Sequence, residues 1–147
     1  MSAVNGVVAF FDTLRANPWA YPALESVHIV GIALLLGNLV ALEVRVFGGA
    51  AALPVQALAR LSLRIASVGF GLAALSGLLM FATQSSELLG NRSFVIKMGL
   101  LATVGCNAAL FHARGSLDKL DLTARVQMLV STAIWLGVVV CGRWIAY

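Results

Sequence analysis

The chain has 147 residues, of which 61% are hydrophobic and 11% charged, with a formal net charge of +4 and a mean hydropathy of +0.96. Ordinary soluble domains carry about 25% charged residues, and a chain this short keeps too much surface to hide so much apolar area in one water-facing fold. A soluble globular domain is excluded. So is a nucleic-acid binder, because the basic residues are scattered and fall at the ends of apolar runs.

Val4, Val7, Val8, Phe11 and Leu14 recur at helical spacing, with Asn5, Asp12 and Arg15 off that face. The pattern predicts a short amphipathic helix over about 3–15, lying in the membrane interface. No basic start, apolar run and small-residue cleavage site open the chain, so no cleavable signal peptide is expected. Asn17, Pro18, Trp19, Tyr21 and Pro22 then turn the chain into the first span, with Trp19 and Tyr21 at headgroup level. Trp144 and Tyr147 suit the same level at the other terminus.

Four apolar stretches, at roughly 22–46, 63–83, 94–113 and 125–146, reach the ~20 residues that cross a bilayer. The first joint contains Gly48, Gly49 and Pro54. The second runs from Gln84 to Arg92 and the third from Arg114 to Asp121. Joints this short make successive helices antiparallel neighbours. The expected fold is therefore all-α, a single polytopic membrane domain over 1–147 built as an antiparallel four-transmembrane-helix bundle. Gly31, Gly37, Gly69, Gly71, Ser76, Gly77, Gly99, Gly105, Ser131 and Gly137 are candidate helix contacts, since small residues let helices approach in lipid. Cys106 and Cys141 fall inside apolar spans and read as small core residues.

Orientation follows from Lys and Arg. The side holding the N-terminus carries Arg15, Arg92, Lys97 and Arg143; the opposite side carries Arg45, Arg60, Arg64, Arg114, Lys119 and Arg125. The positive-inside rule makes the richer side cytoplasmic, which is expected to put both termini on the periplasmic or exterior face.

Ionisable groups inside a span are costly, so they face protein or water and often mark sites. His28 lies ~9 Å into the first span and Lys97 about one turn into the third, both from the N-terminal side. Glu25 is one turn from His28, and Arg143 is one turn from the end of the fourth span. Four ionisable groups thus converge in one half of the bundle. His112 lies ~20 Å from that level, which excludes a cofactor shared by His28 and His112. Two readings of His28 stand side by side: a haem axial ligand, with Gly31 one turn away leaving a flat gap for a macrocycle, or a buried histidine satisfied by Glu25 or an asparagine. Lys97 is either a second axial ligand in its amine form or a snorkelling cation. Arg143 either pairs with Glu25 or grips a propionate or quinone oxygen. Glu43, Arg45 and Arg64 read as a salt-bridge cluster at the opposite end. Met80 and Met98 are soft enough to touch copper and equally suited to a core.

The run Tyr21, Pro22, Glu25, His28, Gly31, Gly37, Glu43, Arg45, Phe47 and Gly48 resembles the opening of a bacterial four-span membrane family of unassigned function. Phe94, Lys97 and Asn107, with the ending from Gly142 to Tyr147, are similar to the same family, so the resemblance covers most of the chain. More distantly, the chain resembles the membrane domain of CopD-type copper-resistance proteins, in its early histidine-and-glycine span and its Phe-x-x-Lys opening of the third. It also resembles HemJ-type protoporphyrinogen oxidases, four-span proteins associated with haem b and with an essential histidine and lysine. Carried over, that resemblance implies His28 and Lys97. HemJ-type proteins have Trp and Arg-Leu-Phe elements after the histidine, where this chain has Ile32 to Leu36 and Arg45-Val46-Phe47. CopD-like copper handling goes with Met- or His-rich loops, and the Gln84–Ser93 loop has neither residue.

Three functions are thus in view. The first is a haem b-binding protein of membrane electron transfer. It would use His28, Lys97, Arg143, Glu25 and Gly31 at the cofactor and a quinone and a redox protein as partners; a HemJ-like oxidase is one form of it. The second is a copper or small-solute transporter with Asn38 on the path. The third is a non-catalytic subunit of a larger complex or homo-oligomer. No nucleophile–base array or phosphate loop is evident, so no catalytic residue is assigned.

Overall fold

The computed structural model describes residues 2–145, with all side chains except those of residues 2–5, 7–8, 15 and 85–86. Its elements are α1 (Ser2–Ala16), α2 (Ala20–Val46), α3 (Val55–Thr83), α4 (Ser85–Gly90), α5 (Arg92–Ala113), α6 (Ser116–Lys119) and α7 (Leu122–Trp144). It is 87% helical, with no strand among the described residues. The four helices α2, α3, α5 and α7 run 27, 29, 22 and 23 residues, or ~33–44 Å, against a hydrocarbon thickness of ~30 Å. Ile29, Leu61, Leu75, Val95, Leu110 and Leu136 all point outward and are exposed. Apolar surface on that scale needs lipid to cover it. The chain is an integral membrane protein that crosses the bilayer four times.

Local chemistry sets the helix ends. Asn17 Oδ1 accepts from the Trp19 amide (2.9 Å) and turns the chain into α2. Pro22 sits in the first turn, where its missing N–H costs no helical bond. Trp19 and Trp144 are exposed, as headgroup anchors should be; Tyr147 lies outside the described residues. Gly48, with φ +103°, ends α2 in a conformation that favours glycine. Arg45 then secures the loop, its Nε donating to the Leu53 carbonyl (2.5 Å) and a guanidinium nitrogen to that of Ala51 (3.3 Å). Asn91 caps α5 by accepting from Ser93 N (2.9 Å) and Phe94 N, and its amide donates to the Ile145 carbonyl (3.3 Å). That last bond clasps the start of α5 to the end of α7. Asp121 caps α7 through Ala124 N (2.8 Å) and pairs with Arg114 (2.7 Å).

Two expectations about the elements change. The second span begins at Val55, because no breaker follows Pro54 and the helix carries Arg60 and Arg64 outward before the apolar run starts. The second and third joints each contain a short helix, α4 and α6. Helix α1 forms as expected and touches α2 and α3. Within its expected faces, the side chains of Val4, Asn5, Val7, Val8 and Arg15 lie outside those described.

The helices pair unequally. Helices α2 and α3 pack closely along their length, α5 packs on α7, and α2 meets α7 to join the pairs. Among the described residues, α3 and α5 make no Cα–Cα approach within 8 Å. Side chains bridge that wider side: Phe81 stacks on Phe94 with ring centroids 5.4 Å apart. The α2–α3 pairing rests on Gly31 and Gly69. A Cβ on Gly31 would stand 2.6 Å from Ala73 N, and one on Gly69 2.6 Å from the Gly31 carbonyl oxygen. Gly37, Gly71, Gly99 and Gly105 face open space instead, so they are not the helix contacts expected of them. The end of the bundle holding the starts of α2 and α5 is called the amino end below, and the other the far end. Leu42, Val46, Val55 and Ala59 form a buried cluster at the far end, with Leu117 and Leu120 packed against it.

Candidate functional site

The antiparallel crossing at Gly31 and Ala73 fixes what lies one turn nearer the amino end: His28 on α2, and Ser76 and Gly77 on α3. The half-buried His28 ring places Nδ1 2.8 Å from the Ala73 carbonyl oxygen and 3.1 Å from Ser76 Oγ. A carbonyl oxygen only accepts, so Nδ1 carries the proton and donates. The buried Ser76 hydroxyl in turn donates to the Leu72 carbonyl (2.6 Å). The other ring nitrogen, Nε2, is therefore the lone-pair atom. A histidine prepared to ligate a metal is held in this way, with one N–H fixed to a carbonyl and the tautomer thereby chosen. Gly77 makes room for the ring: its Cβ would lie 3.2 Å from Cε1.

Lys97 reaches the same region from α5. Its Nζ lies 3.4 Å from the position a Cβ on Gly142 would take, so the amine lies against the bare backbone of α7, beside Cys141. Of the five residues nominated from sequence, His28 and Lys97 lie within electrostatic reach of each other, His28 against α3 and Lys97 against α7. Gly31 does not border a gap: the Gly69 and Ala73 backbones of α3 fill the space beside it, because that glycine serves the helix crossing. Glu25 is exposed, and its charge acts on Tyr21 one turn earlier. Arg143 is exposed just beyond Gly142. From sequence, Ser76 and Gly77 read only as packing residues, and Gly142 only as part of the ending that carries the resemblance. A register drawn from Gly31 opposite Ala73 would have brought Ser76 and Gly77 to His28.

At the far end the expected salt-bridge cluster does not form. Arg45 is committed to loop carbonyls, and Arg64 is exposed. Glu43 is buried and accepts from Thr132 Oγ1 (2.7 Å) across the α2–α7 contact. His112 is exposed, edge-on to Phe111, as an interfacial histidine would be. Asn38 turns back to donate to the Leu34 carbonyl of its own helix (2.8 Å), so its amide nitrogen does not extend into a path.

Among the described residues, no three His, Cys, Asp or Glu side chains gather to hold a bare metal ion. The amino-end donor set is one imidazole and one amine. These features define a class: a four-span helical membrane protein with an anchored histidine and a lysine inside one half of its bundle. Comparison with known proteins adds no relative, since no protein-family model, curated protein or solved structure matches the chain.

Proposed function

We propose that this protein binds haem b at the amino end of its bundle and serves in electron transfer within the membrane. The observation that carries the reading is the His28 ring, whose Nδ1 proton is committed to the Ala73 carbonyl and whose Nε2 is left as a ligand atom. The donor set fits the group. A porphyrin brings four equatorial nitrogens of its own, so the protein need supply only axial ligands. His28 is the first, and Lys97 in its amine form is the second candidate. When bound, haem supplies a reversible one-electron couple. The chain would hold the group through the oriented His28 imidazole, with Arg143 and Glu25 exposed on the same end. A quinone and a redox protein are the electron partners proposed.

Purified protein, produced with added haem precursor, should give a Soret band and reduced-minus-oxidised α and β bands. His28→Ala should remove them, whereas Lys97→Leu should keep the haem with an altered spin state. A colourless wild-type preparation would sink the proposal. We also propose the bacterial inner membrane, with both termini periplasmic, from the six Lys and Arg at the far end against four at the amino end. Reporter fusions at the two termini test it: activity of a cytoplasm-only reporter there reverses the topology.

A further inference from the structure

The far end contains a second polar interior that haem binding does not use. A cavity of about 80 Å³ lies between the four long helices, with Glu43 of α2, Asn107 and His112 of α5, and Ser131 and Thr132 of α7 on its wall. A water needs roughly 10–15 Å³ of such space, so several fit. Thr132 lies ten residues past the first residue of α7, or ~15 Å along its axis, and Glu43 lies one turn before the end of α2. No lysine or arginine lines the cavity. The amides there hold the frame: Asn107 Nδ2 donates to the Gln127 carbonyl (2.9 Å), and Gln127 Oε1 accepts from Ser116 Oγ (3.2 Å).

The cavity is not sealed off. A wider vestibule of about 350 Å³ opens at the far end and shares Leu63, Phe111 and His112 with it. The charged and titratable groups around the route are few. Arg60 of α3 and Asp118 of α6 line the vestibule, and His112 of α5 stands at the junction. Helix α7 contributes only uncharged Gln127, Met128, Ser131 and Thr132 to the inner wall, and α3 only Leu63.

We infer that Glu43 is a proton-exchanging site, reached by water from the far end through the vestibule past His112. The buried Glu43 carboxyl borders a space large enough for water and has no cation on the wall of that space, so it is placed to exchange a proton with water there. Oε2 already accepts from Thr132. The incoming proton therefore bonds to Oε1, passing from a hydronium ion and leaving a water in the cavity. The release step is the reverse. The inference does not depend on haem.

The test is infrared spectroscopy of the whole protein in nanodiscs. A carboxylic-acid C=O band should emerge as pH is lowered, shift down in D2O, and vanish in Glu43→Gln. If that variant fails to fold, Thr132→Val decides, since it keeps the carboxyl and removes its hydroxyl donor, and the band should move. The inference is overturned if no pH-dependent band is found, if the band survives Glu43→Gln, if it ignores Thr132→Val, or if it responds to sodium and not to pH.

Discussion

The two ends of the bundle handle buried polar groups in opposite ways. At the amino end the His28 imidazole is tied to the backbone of a neighbouring helix, and His28 and Lys97 each lie against a glycine, Gly77 and Gly142. At the far end Glu43 is held by a side chain, the hydroxyl of Thr132, and borders a space large enough for water. A backbone anchor gives one ring orientation, which suits a ligand that must present one atom. A hydroxyl anchor beside water leaves the second carboxyl oxygen accessible, which suits exchange. Both depend on helix packing, but the amino-end arrangement depends on it to tenths of an ångström.

Substitutions should separate the two ends. The largest effect is expected at the crossing that positions His28. Gly31→Leu puts a Cβ 2.6 Å from Ala73 N, so α2 and α3 must part. The variant should lose about 3 kcal/mol or more and fail to accumulate in the membrane, read as detergent-extracted yield. Next is Gly77→Val. Its Cβ would lie 3.2 Å from His28 Cε1 and 3.5 Å from Nδ1, so the ring must leave its carbonyl. Most of the Soret absorbance per mole should go, with a much smaller loss of yield than for Gly31→Leu; full absorbance would mean that the anchored ring pose is not the haem-binding one.

Thr132→Val acts at the other end. Loss of one interhelical hydrogen bond in a membrane protein costs roughly 1 kcal/mol, measurable by reversible unfolding in mixed micelles, and haem absorbance should stay unchanged. A fall in absorbance would show that the two ends are coupled. The smallest effect is expected at Asp121, outside the spans. The Ala124 amide first, and Arg114 second, hold its carboxyl below the usual carboxylate range. A lowered folded-state value means stability present above the unfolded value of about 3.9 and lost as pH falls through the folded one. Asp121→Asn should therefore melt slightly lower at neutral pH and lack that acid-side decline. An unaltered melting profile from neutral to acid would show that the cap contributes nothing.

Much of the fold was legible because lipid imposes simple demands. Apolar run length marked all four spans, and Trp19 marked the start of the first. The start of α3 was placed eight residues late because hydropathy falls at Arg60 and Arg64, although helix geometry tolerates both outward. Glycine spacing was ambiguous for a related reason: Gly31 and Gly37 look alike in sequence, yet one meets a helix backbone and the other open space. Depth alone brought His28 and Lys97 to one level. It could not foresee the burial of Glu43, whose partner lies 89 positions away in the chain.

Composition and spacing along the chain thus determined that this protein is a four-helix membrane bundle, and which half contains His28 and Lys97. Those properties follow from rise per residue and from the cost of charge in hydrocarbon, and both are local. Only the tertiary structure decided which nitrogen of His28 carries the proton, that Gly31 closes a crossing, and that Glu43 faces a water-sized space. Each of those depends on the rotation of one helix against another, which the packing of side chains far apart in the chain sets.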